Sequence, residues 1–295
     1  MGLKEFGKNF VARTAKYPAA LRLYKLSGQI AQGLGQVYGH AHYTLELGER
    51  DERLRNLTRE LFPDLVVSNG PFAGMRWIAQ PFGSVLLPKL LGSYESELHP
   101  ALEEAFREHY DTVVDIGCAE GYYAVGMALR MPAARIYAFD TDPHAIRLCN
   151  QLVRLNGVEA RVHVGELCDE AALRSLPLGE RALIISDCEG YEGLLFDHSM
   201  AAFLADHDLI VEVHDFIDIE TSIKLRDAFR DTHEIHSIKS IDDIQKAHTY
   251  RFSQLEKYDA KTRWLILSER RPGIMEWFVL KSKIRMREAS LVSAS

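Results

Sequence analysis

Apolar positions in the second half of the chain form short runs, separated by longer stretches that have helical spacing. The runs typical of buried strands are 112–117, 135–140, 161–165, 182–187 and 208–214. The helical stretches are 120–131, 143–156, 169–176, 191–205 and 221–231. This alternation indicates βαβ units and a parallel sheet with helices on both faces. Two later runs, 234–240 and 275–283, are predicted to close the sheet as an edge hairpin.

The chain before and after this regular region has other patterns. Residues 1–62 have helical spacing broken by a Gly- and Gln-containing stretch, which predicts an N-terminal helical extension. Residues 63–110 are dense in Pro and Gly and form a lead-in segment, for which one role is a lid over substrate or cofactor. The regular domain then spans 111–285, and we predict a flexible tail over 286–295.

Composition narrows the class of protein and its location. The net charge of −7 argues against a nucleic-acid partner, which needs clustered Lys and Arg. Neither a membrane-spanning apolar run nor a secretory signal is found, so we expect a cytoplasmic protein. Up to residue 30, however, there are six basic residues and one acid, and these helices are candidates for contact with a membrane surface. An oligomer is compatible with this composition.

The turn after the first strand carries an acid and two glycines in the stretch VVDIGCAEGYYA. Asp115 ends the strand, and Gly117 and Gly121 lie where a backbone approaches a ligand at the carboxyl end of a parallel sheet. The third glycine of a dinucleotide loop is missing, and Glu120 would repel a pyrophosphate at the start of the helix. An acid at this position favours a cationic ligand such as S-adenosylmethionine.

The next two strand ends also carry acids. Asp140 follows the second strand, where a carboxylate can accept both ribose hydroxyls of a nucleoside. After the third strand, Glu166 or Asp169 is placed for the exocyclic amine of adenine. Together these positions predict an S-adenosylmethionine site.

At this point the sequence resembles class I methyltransferases, and among them the FkbM-like family. The matching segments are VVDIGCAEGYYA, IYAFDTDPHAIRLCNQLVRLNGV and ALIISDCEGYEGLLFD, with GPFAGMRW and LLGSYESEL before them. The resemblance implies a Rossmann-like, doubly wound seven-stranded α/β sheet and S-adenosylmethionine as methyl donor. It also implies O-methylation of a sugar or secondary metabolite as the commonest activity. Glu95, in LLGSYESEL, is added to the cofactor-binding candidates.

Candidate catalytic residues follow the fourth and fifth strands. His214 is the first candidate for general base because its ordinary pKa lies near neutral pH, and Asp187 is the second catalytic candidate. Glu212 and His214 are predicted to share one face of the fifth strand. An alternative mechanism uses Mg²⁺, held by Asp187, Glu189, His214 and Asp215, to activate an acceptor hydroxyl. Arg270 and Arg271 are candidates for a clamp on an anionic acceptor group.

Several functions therefore stay open. The main expectation is O-methylation of a small-molecule acceptor, with no nucleic acid bound. N-methylation, or methylation of a protein or RNA on the same fold, is the first alternative. A nicotinamide-dependent oxidoreductase and a non-catalytic nucleoside-binding protein are the others.

Overall fold

The computed structural model describes residues 48–79 and 85–293, and the side chains up to residue 288. The chain divides into two compact units, Met1–Leu57 and Thr58–Ser295. Most of the predicted N-terminal extension, including its basic helices, lies outside the described residues.

Seven strands form one sheet in the second unit. They are β1 (Thr112–Ile116), β2 (Arg135–Phe139), β3 (Val162–Gly165), β4 (Ala182–Ser186), β5 (Asp208–Val213), β6 (His233–Lys239) and β7 (Glu276–Ser282). Their order is β3-β2-β1-β4-β5-β7-β6. The first five strands are parallel, and β7 runs antiparallel to both of its neighbours. Every strand lies where an apolar run predicts it, and the doubly wound α/β fold is confirmed.

The two last runs form an antiparallel pair at the edge of the sheet, as predicted, with β7 next to β5 and β6 outermost. Trp277 to Leu280 are all buried, as an internal strand requires. The residues of β6 are much more exposed than those of β7, which suits the strand at the edge of the sheet.

Helices cover the sheet and connect its strands. In chain order they are α1 (48–61), α2 (Leu86–Leu91), α3 (His99–Ala105), α4 (Tyr122–Arg130), α5 (Pro143–Leu155), α6 (Glu170–Ser175), α7 (Glu192–Leu195), α8 (His198–Phe203), α9 (Thr221–Phe229), α10 (Asp243–Thr249), α11 (Ala260–Leu267) and α12 (Lys283–Ser293). The helix predicted over 191–205 is interrupted, because Asp197 accepts a hydrogen bond from the Met200 N–H and starts a new helix. The predicted tail is helical as far as residue 293.

The lead-in segment packs on the sheet domain and belongs to the same unit. Asn156, at the end of α5, bonds the backbone N–H and carbonyl of Arg76 at 2.9 and 2.8 Å. Phe72 lies so close to Gly126 of α4 that a Cβ there would come within 2.6 Å of its ring. The predicted boundary at residue 110 is therefore not a structural division.

Within the described ranges, no helix is both long enough and apolar enough to cross a membrane.

Candidate active site

The carboxyl ends of the parallel strands open on a cavity of about 750 Å³, within the ~300–1,000 Å³ typical of ligand sites. The β2 half of the cavity lies at the ends of β1 to β3 and is lined by Ile116, Gly117, Ala119, Phe139, Asp140, Thr141, Glu166, Leu167 and Cys168. The β5 half lies at the ends of β4 and β5 and before β7, and its lining includes Asp187, Cys188, Glu189, Tyr191, Glu212, His214, Phe216, Glu269, Arg270, Arg271, Pro272 and Met275. Lys89 and Tyr94 of the lead-in segment complete the wall.

The turn after β1 is shaped by close packing. Gly117 lines the cavity at φ 84°, and a Cβ there would lie 1.7 Å from the Asp187 carbonyl oxygen. Gly121 does not line the cavity; its φ is 98°, and a Cβ would lie 2.8 Å from the Cys149 sulfur. We therefore correct the prediction for Gly121, which allows α4 to approach α5 rather than the backbone to approach a ligand.

Asp115 lies behind this turn, with only 2% of its surface exposed, and is not part of the cavity lining. Burial raises the pKa of Asp115 to about 7, and the nearby Asp187 and Asp140 contribute to this rise. A hydrogen bond from the Ala124 N–H acts in the opposite direction and lowers the pKa. Its buried Oδ2 has no hydrogen-bond partner within the described part of the chain. A direct role in cofactor binding for Asp115 stays a prediction.

Asp140 and Glu166 lie in the β2 half, as predicted from the strand ends. The Asp140 carboxylate accepts hydrogen bonds from the backbone N–H groups of Ala119 (2.9 Å) and Asp142 (2.8 Å), which fix its orientation. Asp169 instead accepts a hydrogen bond from the Ala172 N–H at the start of α6, leaving Glu166 as the acid facing the cavity. Both acids therefore line the cavity, and their contacts with a nucleoside stay a prediction.

A buried ion pair beside the β1 turn escaped sequence reasoning. The Lys89 ammonium lies 2.7 Å from Glu120 Oε1, and both side chains are buried. Glu120 had been expected to repel a phosphate at the cavity, but it is absent from the lining and its charge is compensated. Nothing in the local sequence links residues 31 positions apart. A single Lys in the apolar helix LLPKLL does indicate a paired charge, because Lys is rarely buried without a partner.

His214 and Glu212 share one face of β5 and its end, as predicted, and both line the β5 half. The His214 Nδ1 lies 2.9 Å from Glu192 Oε1, an ion-pair distance with an angle unfavourable for a hydrogen bond. Its Nε2 faces Asp187 at 3.4 Å and Glu189 at 3.7 Å. Glu192 also accepts hydrogen bonds from two backbone N–H groups of the loop after β4 and so holds this loop against His214.

This environment contradicts the expectation that His214 is the general base. Burial alone would lower the pKa of His214, but the carboxylates of Asp187 and Glu192 outweigh burial and raise the pKa to about 10. At neutral pH the imidazole is therefore already protonated and has no lone pair for an acceptor's proton. Asp187, which lines the cavity and is about a third exposed, remains as the predicted catalytic residue able to accept a proton.

Arg271 lies at the centre of a buried network of carboxylates. Its guanidinium bonds Glu95 (2.7 Å), Glu212 (2.7 Å) and Glu269 (2.9 Å). Burial would lower the pKa of Arg271, but Glu95 and Glu212 raise it further above its ordinary value. These bonds use three of its five N–H groups, and the proposed clamp of Arg271 on an acceptor stays a prediction. Glu95, expected to bind cofactor, is buried against Arg271 and does not line the cavity.

The predicted metal ligands are only partly brought together. Asp187, Glu212 and His214 have potential ligand atoms within 4.8 Å of one another. Asp215 is not part of this group; its carboxylate accepts a hydrogen bond from the Ser222 N–H at 2.8 Å. Glu212, which was not among the predicted ligands, takes its place. Glu189 is 78% exposed. A divalent metal at this place stays a prediction.

Comparisons with known proteins find similarity to methyltransferases. Residues 100–182 match the family model "Ribosomal protein L11 methyltransferase (PrmA)". The release factor glutamine methyltransferase of Geobacter sulfurreducens is 29% identical over 126 residues, which are 41% of this chain and 39% of that protein. The ribosomal protein L11 methyltransferase of Alteromonas mediterranea is 43% identical over 53 residues, 18% of each chain.

A solved structure, the precorrin-6Y C5,15-methyltransferase of Geobacter metallireducens, is similar over 61% of this chain and 86% of its own, with 11% identity and a TM-score of 0.43. The strand order, with β7 antiparallel to its neighbours, is that of the Rossmann-like class I methyltransferase fold. The chain spans well under half the length of the curated relatives it matches, at 39% or less.

One expectation about partners is overturned by these matches. The relatives are named for protein acceptors, ribosomal protein L11 and a release factor. The predicted small-molecule acceptor is therefore wrong. The prediction of a small-molecule acceptor rests on the resemblance to the FkbM-like family, because composition and strand ends carry no information about the acceptor.

Proposed function

We propose that this protein transfers a methyl group from S-adenosylmethionine to a side chain of a protein acceptor. The observation that carries the proposal is the continuous cavity joining Asp140 and Glu166 in its β2 half to Asp187 in its β5 half. The acids of the β2 half suit ribose hydroxyls and an adenine amine, and the cavity size suits one nucleoside ligand. Membership of the FkbM-like family remains a prediction.

A protein acceptor is supported by an apolar rim beside the β5 half. Its side chains are more than half exposed and belong to α7, to the loop after β5 and to α9; they are Leu194, Phe216, Ile217, Ile219 and Ile223. Phe216 also lines the cavity, and Ile217 lies against Gly190 in the loop after β4. Exposed apolar side chains grouped near a site entrance suit contact with another macromolecule. The names of the relatives point to the same acceptor class.

The residues of the β5 half have separate roles in this proposal. The cofactor supplies a methyl group already activated as a sulfonium, so the protein has to place the acceptor in line and remove its proton. Asp187 accepts that proton. The protonated His214 keeps the Asp187 carboxylate oriented, and Glu192 holds His214 and the loop after β4.

The cofactor is tested first, by calorimetric titration of the protein with S-adenosylhomocysteine. We expect binding at micromolar concentrations or tighter. Methyl transfer is then measured with S-adenosylmethionine labelled in its methyl group, using ribosomal protein L11 and a release factor as the protein probes. Absence of cofactor binding to the folded protein would refute the methyltransferase proposal, and label found on neither protein would argue against these two acceptors.

The rim gives the test of a protein acceptor in general. Ile219→Ser is expected to raise the KM for the protein acceptor and to leave the Kd of S-adenosylhomocysteine unchanged. Leu129→Ser, which changes an exposed apolar side chain on α4 outside the rim, is the matched control and should alter neither value. A KM unaffected by Ile219→Ser would remove the rim as support for a protein acceptor.

A further inference from the structure

The wall of the cavity contains a lysine in an unusual environment. Lys89 of α2 is only 2% exposed yet belongs to the cavity lining. Its Nζ lies 4.8 Å from the ring centre of Tyr94 and 5.4 Å from those of Trp77 and Tyr122. Burying an ammonium is costly unless it is paired, and Glu120 at 2.7 Å supplies one carboxylate. One member of this buried ion pair, Lys89, therefore lines the cavity, where its charge can act on a ligand.

The position of Lys89 corresponds to one end of the proposed cofactor. Adenine is assigned to Glu166 after β3 and ribose to Asp140 after β2, so the rest of the molecule extends towards β1 and β4, the next strands in the sheet. Lys89 lies in that direction, since its ammonium is 2.7 Å from Glu120 in the turn after β1 and its side chain lines the cavity. The amino-acid end of the cofactor therefore comes to the part of the cavity that contains Lys89.

The charges around this end select a cation for the cofactor's carboxylate. Asp115 lies near the end of β1 and Asp187 directly follows β4, and another carboxylate near them would be repelled unless a positive group is present. Arg271 and His214, two cations of the lining, each already face at least two carboxylates of the protein. The ammonium of Lys89 has three N–H groups, and one of them is directed to Glu120.

We propose that Lys89 binds the carboxylate of the methionyl part of S-adenosylmethionine, an inference that rests on the proposed function. The ammonium is shared between Glu120 and the cofactor. The three aromatic rings keep water away from this end of the cavity, which strengthens the attraction between the ammonium and a carboxylate.

The test compares two ligands that differ only in this carboxylate. The probes are S-adenosylhomocysteine and its decarboxylated analogue, the thioether amine that retains adenosine and the terminal ammonium. Calorimetry gives both Kd values for the wild type, for Glu120→Gln and for the double variant Lys89→Met/Glu120→Gln. The double variant removes both members of the ion pair, so no unpaired charge is left buried. Thermal unfolding confirms that each variant is folded.

The wild type is expected to prefer S-adenosylhomocysteine to the analogue by about 10- to 100-fold, the range of a charge-assisted hydrogen bond. Glu120→Gln should keep or increase this preference, because the competing anion is gone. The double variant should lose the preference through weaker binding of S-adenosylhomocysteine, while the Kd of the analogue changes by less than about twofold.

Different results separate the two proposals. A wild type that binds both ligands equally, or a double variant that keeps the preference, would overturn the assignment of Lys89 and leave the methyltransferase proposal in place. A reduced preference in Glu120→Gln would also contradict it, and this result does not depend on the double variant being folded. Failure of the wild type to bind either ligand would refute the cofactor proposal, and the role of Lys89 with it.

Discussion

The carboxylate of Glu192 lies 2.9 Å from Nδ1 of His214, and both side chains are buried. The same carboxylate accepts hydrogen bonds from the N–H groups of Cys188 (2.8 Å) and Gly190 (2.9 Å). One buried acid therefore holds the loop after β4 and, together with Asp187, keeps the histidine that follows β5 protonated. The other side of the imidazole faces Asp187. By holding His214, Glu192 therefore also affects how Asp187, the catalytic candidate, is oriented.

The first prediction concerns the pKa of His214. Glu192→Gln removes the closest carboxylate while keeping side-chain volume, so we expect the pKa of His214 to fall from about 10 by about 1–2 units. Titration of the imidazole ring by NMR measures it. Glu189→Gln is the control, because that acid is 3.7 Å away and 78% exposed, and its effect should be less than about half a unit. Equal effects of the two substitutions would contradict the assignment.

The second prediction is a pH dependence of stability. The pKa of His214 is about 10 in the folded protein and near 6.5 when unfolded, so between these values the folded state holds more protons. The stabilisation by this proton is fully present below pH ~6.5 and is lost as pH rises through the folded pKa. Denaturant unfolding of the wild type and of His214→Gln should give a free-energy difference that shrinks between about pH 7 and 10. A constant difference would show that the two states bind this proton equally.

The third prediction concerns the nucleoside contact of Asp140. Asp140→Ala should weaken binding of S-adenosylhomocysteine by about 1.5–3 kcal/mol, the contribution of a hydrogen bond to a charged group. Asp142→Asn is the matched control two residues away: Asp142 caps α5 by accepting from the His144 N–H, and Asn caps a helix equally well. Calorimetry and thermal unfolding measure both variants. Unchanged affinity in folded Asp140→Ala would refute the ribose assignment.

Much of this fold could be predicted because it follows from local patterns. Buried strands need apolar runs, and the runs around 112–117 and 182–187 correspond to strands buried along their whole length. Since carboxyl ends of parallel strands meet at one edge, acids just after the runs, such as Asp140 and Asp187, were expected to share a cavity.

The remaining features depend on contacts between distant parts of the chain. Arg271 bonds Glu95, 176 positions away, and neither local sequence indicates the other. The pKa of His214 depends on burial together with Asp187 in the loop after β4 and Glu192 at the start of α7, so the ordinary pKa of a histidine does not predict it. The role of Gly121 was also wrong, since a glycine at a βα turn serves ligand approach and helix packing equally well, and only the position of Cys149 distinguishes them.

The last prediction concerns Gly117, where the β1 turn meets the loop after β4. A Cβ at this position would lie 1.7 Å from the Asp187 carbonyl oxygen, a backbone atom that cannot rotate away, and φ is 84°. In Gly117→Ala a residue with a Cβ adopts a left-handed backbone conformation, which is unfavourable, and the Cβ also pushes the two loops apart. We expect the two effects together to destabilise the protein by at least about 3 kcal/mol. Gly157→Ala isolates the first effect, because its φ is 67° and a Cβ there meets nothing within 4 Å. Its cost should be only about 1–2 kcal/mol.

Denaturant unfolding of the two variants measures the difference, and calorimetry with S-adenosylhomocysteine measures its consequence for the cavity. Because Gly117 and Asp187 line opposite halves of that cavity, separating their loops should weaken cofactor binding in Gly117→Ala and leave Gly157→Ala unaffected. Equal destabilisation by both substitutions would mean that backbone conformation alone requires Gly117. In that case the contact between the two loops would not be what holds Asp187 beside the β1 turn.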